Sequence, residues 1–142
     1  MKTEDIELLK QVFQRCIDEG NTFEDFEEFE WAAESYKEAK ALADLLHMDG
    51  EFLHPMIVDC YINARDPKAA IQYFDELKRV YDPSFIFNVE LLTSVAAAYC
   101  DDEQWEMAEQ TLYKAKDANK GEFSDEMYLV RDRIRQFYFE DK

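Results

Sequence analysis

The sequence predicts an all-α chain, an α-α superhelix (solenoid) of about three helical hairpins closed by a C-terminal capping helix. Three observations carry that expectation. Only three glycines and three prolines punctuate 142 residues, and long β-branched alternations are absent, which favours helix throughout. The stretch Met56 to Arg79 reads as two short amphipathic helices folded at one turn. Ile57, Cys60, Tyr61 and Ala64 recur at the i, i+3, i+4, i+7 spacing of one helix face, and Ala70, Ile71, Phe74 and Leu77 form the next. The pattern then repeats: Tyr61 and Tyr99, Ala32, Ala70 and Ala108, Tyr36, Phe74 and Leu112, and Leu77 and Ala115 all stand 38 residues apart. One hairpin of this size cannot bury both apolar stripes, so it needs stacked neighbours.

Each element has its own local reason. Thr3 is the expected cap of the first helix, with Glu4 and Asp5 suiting the positive end of its dipole. Ile6, Leu9, Phe13 and Ile17 supply its face, which is expected to end at Gly20. A second helix from about Glu24 to His47 carries Phe29, Ala32, Ala33, Tyr36, Ala39, Leu42 and Leu46, and Met48-Asp49-Gly50 closes it. Pro55 opens the third helix. Asp66-Pro67 separates third from fourth, since Asp caps free N–H groups and Pro fits the first helical position, where its missing donor costs nothing. Asp82-Pro83-Ser84 is read as the same device before a fifth helix with Val89, Leu92, Ala96 and Tyr99. Trp105, Ala108, Leu112 and Ala115 mark the sixth. After Gly121, Ser124 caps a seventh with Met127, Val130, Ile134 and Phe137. The expectation is one domain over 1–142, with hairpins at roughly 4–47, 54–81 and 84–118 and a cap over 124–140.

The small-x-x-x-bulky element, the tyrosine near the end of the first helix (Tyr61 and Tyr99), and the run IVDCYINARDPKAAIQYFDELK resemble the tetratricopeptide and pentatricopeptide helical-hairpin repeats. The central run is closest to the pentatricopeptide form. The resemblance covers roughly residues 24 to 118. Two features depart from it: the 38-residue period exceeds the ~34 usual for tetratricopeptide repeats, and Arg65 stands where these motifs often carry Gly. The resemblance implies recognition of other macromolecules by first-helix residues. For pentatricopeptide arrays it implies RNA, read in the central unit near Met56 and Ile86, both apolar and poor at hydrogen-bonding a base edge.

Charge weighs against nucleic acid. Thirty-three Asp and Glu against sixteen Lys and Arg leave a net charge of −17, which repels the phosphate backbone that dominates such affinity. The field suits a basic protein surface instead. No direct nucleic-acid contact is expected; the alternative is an RNA-associated pentatricopeptide-like factor acting beside a basic partner.

Signs of chemistry are weak. Asp117-x-Asn119-x-Gly121 begins like a calcium loop, but Glu122 and Tyr128 occupy positions that need Gly and Glu. No Gly-rich phosphate loop, GxSxG elbow or HExxH helix occurs. Cys16, Cys60 and Cys100 are widely spaced, with neither a Cys-x-x-Cys nor a His within four residues, and read as small buried hydrophobes in a reducing compartment. His47 and His54 read as turn and cap residues. No enzyme, metal or cofactor is expected. Apolar runs fall short of the ~18 residues of a membrane span, and the acidic opening MKTEDIELLKQ has no signal or transit pattern, so a cytoplasmic place is expected, or a mitochondrial one as a mature chain.

The expectation is therefore a non-catalytic adaptor or structural subunit of a larger complex. Its contact residues are those on first helices that face away from the core: Asp59, Ile62 and Asn63 on the third helix, and Glu90, Ser94, Ala97 and Asp101 on the fifth. They would accept a basic helix or extended segment. The seventh helix adds Tyr138 and Phe139, with Tyr128 and Leu129, as a surface for a partner or a homodimer.

Overall fold

A computed structural model describes residues 1–139, and among these the chain is all-helical, with seven helices and no strand. The helices are α1 Thr3–Asp25, α2 Phe29–Leu45, α3 Leu53–Asn63, α4 Pro67–Val80, α5 Val89–Asp101, α6 Trp105–Ala118 and α7 Asp125–Phe139. Residue 140, the end of the expected cap, lies outside the described residues. The chain divides into two compact units, Met1–Arg65 and Asp66–Lys142. The division falls at the Arg65–Asp66 turn, inside the span 54–81 read as one hairpin.

In the first unit α1 packs on α2 and α2 on α3. The expected end of α1 at Gly20 is incorrect: the helix runs on to Asp25, and α2 begins at Phe29 rather than Glu24. Gly20 is a packing residue. A β-carbon there would lie 2.4 Å from Cε1 of the Tyr36 ring, so only glycine lets α2 approach this closely. The Tyr36 ring is fully buried and its hydroxyl donates a 2.6 Å hydrogen bond to Oδ1 of Asn21. Thr3 is likewise inside α1, and the preceding Lys2 gives no side-chain cap.

In the second unit α5 packs on α4, α6 and α7, and α6 packs on α7. Its core is Leu91, Leu92, Val95, Tyr99, Leu112 and Met127, each at most 3% exposed. Burying such side chains contributes about 1.5–3 kcal/mol apiece. Asp66 caps α4 as expected, accepting from the Ala69 N–H at 3.1 Å with Pro67 at the first position. Ser124 Oγ accepts from the Met127 N–H at the start of α7. The Asp82-Pro83-Ser84 device is a correction. Asp82 folds a local turn, accepting from Ser84 N–H at 2.8 Å and Ser84 Oγ at 2.6 Å, while Asn88 caps α5 through the Leu91 N–H.

One turn recurs at the 38-residue period. Glu27, Arg65 and Glu103 have φ of 59°, 61° and 59°. Each follows a helix C-cap and donates its N–H three residues back, to Glu24, Ile62 and Cys100 respectively. At Glu28 and Gln104 the next N–H reaches back to the carbonyls of Phe23 and Tyr99, both at 2.8 Å, which completes the left-handed helix stop. The buried positions follow the same period: Gly20, Val58 and Ala96 on the first helices, and Ala32, Ala70 and Ala108 on the second.

Candidate functional site

On α3, Asp59 and Asn63 are exposed and Ile62 is half-buried. Cys60, between them, faces inward, and its Sγ donates to Oε1 of Glu24 on α1 at 3.2 Å. Burial, then the Glu24 carboxylate, pushes that thiol's pKa up, so it stays a neutral thiol. The outward strip of α3 is thus short and carries one carboxylate, Asp59.

On α5, Glu90, Ser94, Ala97 and Asp101 recur at spacings of four, three and four, one line along a helix. Glu90 is exposed, and Ser94 and Ala97 are half-buried. The carboxylates thus stand at the ends of a strip with a floor of small side chains. At 1.5 Å rise per residue the strip is about 16 Å long.

Asp101 is less available than the sequence suggests. Nη2 of Arg133 on α7 donates to its Oδ1 at 2.7 Å, so a cation of the chain itself closes that end. The seventh helix brings this arginine back over the second unit, a long-range pairing that no local pattern in the sequence announces.

Of the α7 residues, Tyr138 is half-buried and Phe139 is 77% exposed. Leu129 is also exposed. Tyr128 is engaged within the unit, with the Arg131 guanidinium 4.5 Å above its ring. Phe137, read as core, stacks on Trp105 of α6 with centroids 4.8 Å apart.

A second feature went unnoticed in the sequence. The segment between α4 and α5 brings Tyr81, Phe85 and Phe87 into one aromatic cluster with Phe74 of α4. Tyr81 stacks on Phe85 at 4.3 Å, and Phe87 meets Phe74 edge-on at 5.2 Å. Beside it lies a cleft of about 490 Å³ lined by Phe74, Phe85, Ile86, Phe87 and Leu92, together with Lys78, Asp82, Lys114 and Asp117. Its size suits an apolar side chain or small molecule, and its lining has charges of both signs but no histidine or cysteine. Three aromatic residues, Tyr81, Phe85 and Phe87, within four residues of Pro83 are the signal the sequence offers. Ile86 lies in this linker and is 75% exposed, off any helix. It therefore does not stand where a helix-borne base reader would.

His54 stands in the first turn of α3, where it is buried, and burial lowers its pKa, which favours the neutral imidazole. Cys16, Cys60 and Cys100 are all buried free thiols. Among the described residues no group of three or more His, Cys, Asp and Glu is placed to hold a metal ion, and no helix is long and apolar enough to cross a membrane. Compared with family models, curated proteins and solved structures, the chain matches none of them.

Proposed function

We propose that the chain is a non-catalytic protein–protein interaction module of tetratricopeptide- or pentatricopeptide-like type, an adaptor or structural subunit of a larger complex. It holds a basic helix or extended segment of another polypeptide on acidic first-helix strips. Stacking of the hairpins into a superhelix is part of this proposal. The observation that carries it is the α5 strip, where Glu90 and Asp101 bracket Ser94 and Ala97. Small side chains let a partner backbone come close, and carboxylates at the two ends fix its register. An extended segment rising ~3.3 Å per residue spans the strip in about five residues, so the preferred ligand carries Lys or Arg at each end of such a run. Arg133 holds Asp101 until the partner's cation displaces it. Asp59, with Ile62 and Asn63, gives α3 a shorter strip of the same kind.

The test is titration of a fluorescent peptide with paired Lys or Arg at that spacing, read by anisotropy. Glu90→Lys and Asp59→Lys should each weaken binding roughly tenfold, about 1.4 kcal/mol. Asp101→Lys should weaken it too. Affinity unchanged in all three variants would reject the proposal.

A further inference from the structure

The groove between α6 and α7 has the opposite chemistry from most of this acidic chain. Leu112 and Ile134 are buried beneath it, Tyr113, Tyr138 and Phe139 flank it, and it encloses about 390 Å³. Arg131 and Arg135 line it against a single carboxylate, Glu109. Arg131 is drawn over the Phe123 and Tyr128 rings, and its buried Nε has no hydrogen-bond partner. Arg135 is exposed and has no ion-pair partner among the described residues.

The matching chemistry lies in the same chain. The bend EDFEEFEW, Glu24 to Trp31, joins α1 to α2 and exposes Phe26 by 74% and Trp31 by 63%. Glu27, Glu28 and Glu30 are exposed beside them, with no cation paired to any of the three among the described residues. A left-handed residue at Glu27 holds the bend, so it is presented as a formed knob rather than a loose loop.

We propose that the α6–α7 groove of one copy receives the Glu24–Trp31 bend of a second copy, so that chains associate head to tail. Burial of Trp31 and Phe26 among Tyr113, Tyr138 and Phe139 supplies most of the affinity. Pairing of the glutamates with Arg135 and Arg131 sets the orientation. Because the two surfaces differ, each copy of a dimer keeps one free, and association continues past the dimer, to a ring of three or more copies or an open chain. The net charge of −17 opposes this at long range, but at physiological salt that repulsion is screened beyond about 8 Å. This inference is independent of the α5 strip.

The test is sedimentation velocity over a concentration series, with folding of every variant checked by circular dichroism melts. The wild-type chain should gain mass beyond the dimer as concentration rises. A bend variant (Phe26→Ser, Glu28→Lys, Trp31→Ser) and a groove variant (Arg135→Glu, Phe139→Ser) should each associate at least tenfold more weakly. The bend variant is less negative overall, which by itself would ease association, so its loss of assembly is a stringent result. An equimolar mixture of the two variants should form dimers and stop there, since each supplies one intact surface. Free EDFEEFEW peptide should dissociate the wild-type assembly, a readout that does not depend on any variant folding. A wild-type chain that stays monomeric at all concentrations overturns the proposal, as do a dimer that never grows, variants that assemble like wild type, or a mixture that remains monomeric.

Discussion

The α1–α2 and α5–α6 hairpins solve one packing problem with different pairs of side chains. In the first, Gly20 leaves room for the whole ring of Tyr36. Two periods on, the equivalent positions are Ala96 and Leu112, both buried. In these two hairpins a smaller residue on the first helix goes with a larger one on the second, so a similar combined volume is reached with different residues, while Val58 and Phe74 at the same positions of the middle repeat are larger together. The hairpins also differ in what ties them. Tyr36 spends its hydroxyl on Asn21, whereas α5 is held at its end by Arg133 from α7.

The most damaging way to break this comparison is Gly20→Val, which puts into α1 the residue that α3 carries at the same position. It should cost about 3 kcal/mol by overpacking, seen in urea unfolding. Gly20→Ala with Tyr36→Leu copies the α5–α6 pair and should be more stable than Gly20→Ala alone; a double variant no better than the single one would mean the volumes are not exchanged. Alkaline stability comes next. Burial raises the Cys100 pKa from 9.0 to about 11, with Arg133 opposing. The folded thiol therefore keeps a proton that the unfolded one releases, and stability falls as pH rises from about 9 to about 11, by up to roughly 2 kcal/mol. Cys100→Ala should flatten that part of a melting-temperature profile, and an unchanged profile would contradict the assignment.

Smaller effects sharpen the comparison. Asp66→Ala removes the side-chain cap of α4 and should cost about 1 kcal/mol. Its counterparts Glu28 and Gln104 make no such bond, so Ala at either should change thermal stability by less than half as much. The smallest effect is Arg133→Ala. Its ion pair with Asp101 is partly exposed and should contribute under about 1 kcal/mol, but the variant frees Asp101 and should strengthen binding of the basic peptide.

Much of the fold was legible because helix periodicity and cap chemistry are local. The Asp66-Pro67 stop and the Ser124 cap rest on residues within a few positions of one another, and the Ala32, Ala70, Ala108 series emerges when the chain is laid over itself at 38 residues. Gly20 was misread because a glycine in a helical run has two meanings, stop and close approach. Only the partner ring, sixteen residues away, decides between them. Laying Gly20 over Val58 and Ala96 at the repeat period would have given the right answer. At Asp82 a proline-containing turn imitated a cap, yet Asn88 sits closer to the first periodic residue of α5. That Asp59, Asn63, Glu90 and Asp101 lie off the core faces of α3 and α5 follows from helix spacing. The Arg133 tie, the aromatic cleft and the α6–α7 groove depend on contacts between elements, which spacing along the chain does not encode.

One left-handed turn, at Glu27, Arg65 and Glu103, ends α1, α3 and α5 at a 38-residue interval, and the whole description of the repeat depends on it. Replacing each of the three in turn by glycine and measuring unfolding free energy tests it most directly. Glycine relieves a positive-φ position, so each substitution should leave stability unchanged or raise it by up to about 1 kcal/mol. A loss of about 1 kcal/mol at any of the three, the cost of glycine inside a continuous helix, would contradict it.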